Sequence, residues 1–228
     1  NDNDEIFVYV RGGGAGCTSD GSSVGLRQIT KTPRGSVINP IYNKNPSISG
    51  NGGRVVFAST GDNPVYDPGT GGNLDDGAAN PESSRNEEIF YSDLVGGQPQ
   101  AAKQITTTTP ATPGTPVNIL DLGKRISRDG RYIAFDSYAD FPATPNPGDQ
   151  TSTSSFALYL YDTTVSTFRR IGPRSNADAE ASGGDVQHYP GFTETDSNGA
   201  PSILILQTRQ NIKADGTIPT TESDGLNP

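Results

Sequence analysis

The sequence predicts an all-β fold assembled from repeated four-stranded antiparallel units. Three observations carry this expectation. The 228 residues include 28 Gly and 18 Pro and are only 31% hydrophobic, a mix that suits many short strands joined by turns and opposes helices. Compact apolar runs ("RVVFAS", "YIAFDS", "FALYLYD", "SILILQT") recur between the turns, which sets the chain apart from a disordered one of similar composition. Finally, two kinds of segment alternate along the chain, the sign of a repeat architecture.

The first kind is a turn-centred hairpin. In "SISGNGGRVVFAS" the turn falls at Asn51-Gly52-Gly53, and in "RISRDGRYIAFDS" at Arg128-Asp129-Gly130. A degraded third copy, "GFTETDSNGAPSILILQT", turns at Ser197-Asn198-Gly199. Asn-Gly and Asp-Gly tolerate the positive φ angles of tight hairpins. The second kind is an aromatic-rich strand, a turn, and a strand with a polar tail: "DEIFVYV…GLRQIT" at 4–30, "EEIFYSDLVGGQPQAAKQIT" at 87–106 and "FALYLYDTTVSTFRRIG" at 156–172. Arg27-Gln28-Ile29-Thr30 and Lys103-Gln104-Ile105-Thr106 are near-identical endings. The expected divisions are a half-unit at 1–30, units at 37–106 and 115–172, a half-unit at 186–212 and a loop at 213–228. Their cores are expected at Ile48, Val56, Phe57, Ile89, Phe90, Ile126, Ile133, Phe135, Leu158, Leu160, Ile203 and Ile205.

These residues resemble the WD40-like (TolB-type) β-propeller repeat, with its pattern P-x-[WF]-S-P-D-G-[KR]-x-[IL]-[AV]-F-x-S followed by [IL]-[YF]-x-x-D. The match runs from Pro46 to Ser59 with Ile89 to Leu94, and from Ile126 to Ser137 with Leu158 to Asp162; Ile48 and Ile126 stand where the pattern has an aromatic. The resemblance implies a β-propeller of four-stranded blades, with three blade-equivalents in this chain, and no particular activity, since such propellers are mostly binding platforms. Three blades are too few to close, because propellers carry four to eight. The expectation is a partial propeller or half of a six-bladed ring, completed between chains or by open head-to-tail pairing. The strand Ile6, Phe7, Val8, Tyr9, Val10 is then expected to pair with one near Ser202 to Thr208, through Ile203, Leu204, Ile205 and Leu206, from a neighbour or from its own chain. The absence of Met, position 1 included, suggests a processed product or an excerpt.

A blade needs roughly 40–45 residues, and these units are longer. The surplus lies in loops at 60–87, 138–155 and after Thr208, and between units at 31–46, 107–116 and 173–187, which a propeller gathers on one face. That face holds most of the acidic residues of a chain with net charge −9. Recognition commonly sits on such loops, so a basic or polar protein surface, identical subunits, or cations are the expected partners. Nucleic acid is disfavoured by the charge. No apolar run reaches the 18 residues of a membrane span. Low Lys with abundant Thr, Ser, Asn and Gly gives an extracytoplasmic composition, hence an extracellular, cell-surface or periplasmic location.

Candidate chemistry is sparse. Asp62, Asp67, Asp75 and Asp76 share a Gly-rich loop of the kind Ca²⁺ uses, although the spacing departs from the EF-hand loop and solvated turns are the favoured reading. Asp2, Asp4 and Glu5, with Asp224, form a second acidic group. The "TTTTPATPGTP" stretch reads as a stiff extended linker. Cys17 excludes an internal disulfide. His188, in "VQHYPGF", is the only histidine and is read as packed or channel-lining, since no G-x-S-x-G elbow accompanies it. Asp121, Asp136 and Glu194 lie near strand positions and offer carboxylates of little specificity. Gly12-Gly13-Gly14 lacks the Lys and helix of a phosphate loop. The functional expectation is a non-catalytic extracytoplasmic protein-binding or self-assembly module. The alternatives are a propeller-type hydrolase or lyase acting on polysaccharide or peptide, and a calcium-stabilised surface protein.

Overall fold

The computed structural model describes residues 3–10, 25–33, 35, 40–67, 69–72, 80, 85–110, 116–141, 150–172, 174, 188–193 and 203–227, with the backbone alone for 150–156. The described chain is all-β. Sheet I pairs β1 (Phe7–Val10) with β2 (Gly25–Gln28), antiparallel, Phe7 opposite Gln28. Sheet II runs β3 (Asn43–Ile48), β4 (Arg54–Ser59), β5 (Glu88–Val95), with β6 (Gln98–Pro99) and β7 (Lys103–Gln104) both laddered to β5 as a broken fourth strand. Short β8 (Thr108–Thr109) leads out of it. Sheet III repeats the order with β9 (Asn118–Ile119), β10 (Tyr132–Ala139), β11 (Gln150–Asp162) and β12 (Thr167–Ile171). Here β8 adds a parallel pair at the start of β11. Sheet IV is β13 (Gly191–Phe192) against β14 (Leu204–Ile205). No helix among the described residues is long and apolar enough to cross a membrane.

Turn chemistry places the strands. Gly96 and Gly97 take φ of 58° and 80°, the pair of positive values that a two-residue hairpin turn needs to match strand twist. A Cβ on Gly97 would also clash with a Val10 methyl, so glycine lets sheet I approach sheet II.

Alternation of side chains then makes sheet II apolar on both faces. Val55, Phe57, Phe90 and Leu94 pack with Ile6, Ile29 and Val8 of the sheet I segment. Val56, Ala58, Ile89 and Tyr91 pack with Ile126, Ile133, Phe135 and Tyr159 of the sheet III segment. Sheet II is therefore sandwiched between sheets I and III, which explains the unbroken apolar run 55–58. Backbone and side-chain bonds stitch II to III: the Asn51 N–H donates to the Arg128 carbonyl (2.9 Å), and Arg54 donates to the Gly130 carbonyl (2.8 Å) and Thr163 Oγ1 (2.6 Å).

Val56, Phe57, Ile89, Phe90, Ile126, Ile133, Phe135 and Leu158 are fully buried as expected, while Leu160 is half-buried. Three expected core residues are not core. Ile48 is 43% exposed, because the register of β3 on β4 slips between Lys44 and Ser47, where Asn45 adopts φ 53°. A one-residue slip sends the following side chains to the opposite face. Ile203 and Ile205 are 56% and 62% exposed, since among the described residues β14 is laddered to β13 alone. The turn at Ser197-Asn198-Gly199 lies outside the described residues.

Candidate functional site

The best-formed polar construction is a carboxylate clasp that occurs twice. In the first copy the Thr32 N–H and Oγ1 donate to Glu5 Oε1 (2.6 and 3.1 Å), Asn43 Nδ2 reaches Glu5 Oε2 (3.0 Å) and Thr32 Oγ1 (2.9 Å), and the Ile6 N–H donates to Thr30 Oγ1 (2.8 Å). In the second copy the Thr108 N–H and Oγ1 donate to Glu88 Oε1 (2.6 and 2.8 Å), Asn118 Nδ2 reaches Glu88 Oε2 and Thr108 Oγ1 (both 3.0 Å), and the Ile89 N–H donates to Thr106 Oγ1 (2.9 Å). Each asparagine stands on the first strand of one sheet and is inserted into the preceding sheet segment. Its own carbonyl oxygen accepts from a serine at the end of the second strand, Ser59 or Ser137 (2.7 and 2.9 Å). The clasps lock sheet I to II and sheet II to III. In sheet III, Ala157 occupies the register position of Glu88, so this clasp has no acid there.

A different polar pair makes the next junction. His188 donates its backbone N–H to Asp136 Oδ2 (2.8 Å), its Nδ1 lies 2.6 Å from Asp136 Oδ1, and both side chains are 1% exposed. Both carboxylate oxygens are occupied and the pair is sealed among packed strands, the arrangement of a fastener between sheets III and IV. Nearby Arg125, also buried, donates its side chain to the Asp121 and Leu122 carbonyls (3.1 and 2.9 Å) and its backbone N–H to Ser47 Oγ (3.0 Å). Asp121 is raised by burial against the pull of Arg125, and it does not bond His188 in any described contact. Glu194 lies outside the described residues.

Mutation checks the clasp directly. Asn118→Ala removes three donor contacts and leaves the Glu87 carbonyl and Glu88 short of partners; the expected cost is about 1–3 kcal/mol in a urea titration. Asn43→Ala, at the corresponding position nearer the surface, is expected to cost less.

Of the calcium candidates, Asp75 and Asp76 lie outside the described residues. Asp62 accepts from the Asn80 N–H (3.0 Å), and Asp67 closes its own turn by accepting from the Gly69 N–H (2.8 Å) and Thr70 Oγ1 (2.7 Å). Those bonds hold Asp67 below the usual carboxylate range, the Thr70 hydroxyl first among them. Among the described residues no three His, Cys, Asp or Glu side chains gather as a metal site. Asp4 is exposed, and Asp224 pairs with Lys213 at 2.6 Å. Asp2, Cys17 and Gly12-Gly13-Gly14 lie outside the described residues. Three acidic residues at the edges of those loops are engaged within the fold, Glu5 and Glu88 as acceptors in the clasps and buried Glu87 paired with Lys44 at 2.6 Å.

The expected assembly residues fall at the two ends of the stack. Ile6 is buried and β1 is laddered to β2, so the segment is paired, though with 25–28 and not with the segment 203–206 that contains β14. The pairing of β1 with that strand does not occur within the chain. Phe7 (48%), Tyr9 (66%) and Leu26 (63%) share one exposed face of sheet I, and Ile203 and Ile205 are exposed on sheet IV. No protein-family model matches the chain, and no curated protein matches it.

Proposed function

We propose that the chain is a run of propeller-type blades serving as a non-catalytic extracytoplasmic module for protein binding or self-assembly. The observation that carries this reading is the pair of half-width sheets at opposite ends of the stack, each presenting exposed apolar side chains on a short strand. Strand edges of this kind template pairing with another strand. The sealed His188–Asp136 pair supports the non-catalytic side of the reading, because a general base must reach the proton it abstracts. The Lys-poor composition rich in Thr, Ser, Asn and Gly supports an extracellular, cell-surface or periplasmic location.

Light scattering behind a sizing column tests it. The expected mass is at least twice the 23.9 kDa of one chain, rising with concentration if pairing is open-ended. A species that stays at the mass of one chain across micromolar concentrations overturns self-assembly.

A further inference from the structure

We propose that β14 and its flanking residues, the segment 203–206, of one copy pair antiparallel with β1 of a second copy in one defined register, Leu206 opposite Phe7, Ile205 opposite Val8, Leu204 opposite Tyr9 and Ile203 opposite Val10. This inference rests on the self-assembly reading and names the partner and its geometry.

The register follows from the complete sheet. In sheet II, β4 and β5 pair Val55 with Ser92, Val56 with Tyr91 and Phe57 with Phe90. Sheet IV matches β3–β4: Phe192 opposite Leu204 and Gly191 opposite Ile205 stand where Ile48 opposes Val55 and Ser47 opposes Val56. Sheet I matches β5 and its partner strand: the Ile29 N–H bonds the Ile6 carbonyl as the Ile105 N–H bonds that of Ile89, and the clasps at Glu5 and Glu88 coincide. Leu204, Ile205 and Leu206 are thereby the counterparts of Val55, Val56 and Phe57, and Phe7, Val8 and Tyr9 those of Phe90, Tyr91 and Ser92.

The edges are in phase for this union. Backbone polar groups alternate sides along a strand. The Ile6 carbonyl faces β2, so those of Phe7 and Tyr9 face away from it. The Thr193 N–H bonds the Ile203 carbonyl, so the polar groups of Leu204 and Leu206 face away from β13. Leu204 with Tyr9 and Leu206 with Phe7 become the hydrogen-bonded pairs, as Val55–Ser92 and Phe57–Phe90 are within sheet II.

The side chains agree. On β1 the half-buried Val8 faces sheet II and Phe7 and Tyr9 face outward; on the second edge Leu204 and Leu206 are half-buried and Ile203 and Ile205 exposed. In the joined sheet Phe7 and Tyr9 fall on the face of Leu204 and Leu206, and Ile205 on the face of Val8. Each exposed set thus extends the other copy's buried set. The counterparts inside sheet II, Val55, Val56, Phe57, Phe90 and Tyr91, are all at most 1% exposed.

Disulfide trapping tests the register. In a Cys17→Ser background, a chain carrying Val8→Cys is mixed with one carrying Ile205→Cys under mild oxidation. That pair is a non-hydrogen-bonded one, with Cα atoms about 4.5 Å apart, inside the range a disulfide spans. The expected result is a reducible covalent dimer, with far less from Val8→Cys mixed with Ile203→Cys, two residues out of register. The pair Val10→Cys with Ile203→Cys gives a second in-register readout should Val8→Cys destabilise the fold. A double variant Val8→Cys/Ile205→Cys that links within single chains overturns the second copy as partner. Oligomers that persist with no in-register cross-link overturn the register while leaving self-assembly standing. Monomers without cross-links overturn both.

Discussion

Phe135→Ala is expected to lower the unfolding free energy by about 3–5 kcal/mol, the range for deleting a large buried aromatic, read as a shifted midpoint in urea at unchanged slope. Phe135 lies mid-strand on β10 opposite Tyr159, with no exposed surface. It meets Phe141 and Phe168 edge-on, at ring distances of 5.7 and 6.2 Å, and Tyr159 at 6.2 Å. Sheet II closes the other side with Val56, Ile89 and Tyr91. Walls on two laddered sheets collapse little into a void, so the cavity cost adds to the lost transfer energy. Ile48→Ala, at a 43% exposed position beside a bulge, is the control and is expected to cost under about 1 kcal/mol. Equal costs at the two positions would mean that the shared core of sheets II and III is not where the stability resides.

The strands of sheets II and III were legible because their signals are local. Asn-Gly and Asp-Gly fix hairpins within a few residues, and a repeat states each sheet twice. What escaped depended on partners distant in sequence. Ile48 reads as core by alternation, but the backbone kink at Asn45 changes its face, and no composition rule marks a positive φ at an Asn followed by Pro. Ile205 reads as core because its counterpart Val56 is core; it is exposed because a side chain in a half-width sheet has only one neighbouring strand to shelter it.

The clasp is a sharper case. Its parts were visible in "DEIF" and "EEIF" and in the paired endings at Thr30 and Thr106, yet an acid before an apolar strand reads as a surface charge. Its partners, Thr108 and Asn118, are 20 and 30 residues away from Glu88, and only the fold brings them round the carboxylate. The recurrence of the Thr after Gln-Ile was the available signal: a hydroxyl kept behind the same dipeptide, downstream of the same Glu-Ile-Phe in two copies, marks a contact. His188 was legible as a packed residue, but its partner Asp136 was visible only as one of several strand carboxylates.

Glu88 also sets the expected pH dependence. Burial pushes its carboxyl up to about 8, against the opposing pull of the hydrogen bonds from Thr106, Thr108 and Asn86. The folded chain therefore holds a proton that the unfolded chain releases above its ordinary pKa of 4.5. Stability is then fully present below about pH 4.5, falls as pH rises from there to about 8, and levels off beyond, with a loss bounded at about 4–5 kcal/mol by the size of the shift. Glu87 and Asp121, likewise raised by burial, add to the same slope. Asp162, held at about 2 by Arg131 and Thr164 despite its partial burial, acts in the opposite sense: its contribution is present above about pH 3.8 and lost only below it, so the two windows separate. Glu88→Gln isolates the effect. An amide oxygen still accepts from Thr108, the amide NH₂ donates to the Thr106 hydroxyl, and Asn118 Nδ2 keeps the Glu87 carbonyl and Thr108 Oγ1 as acceptors. Urea titrations from pH 5 to 9 are expected to show wild type losing stability steadily while the Gln variant runs flatter, the curves converging or crossing toward high pH. Parallel curves would mean that Glu88 is ionised in the folded protein throughout, its donors outweighing its burial.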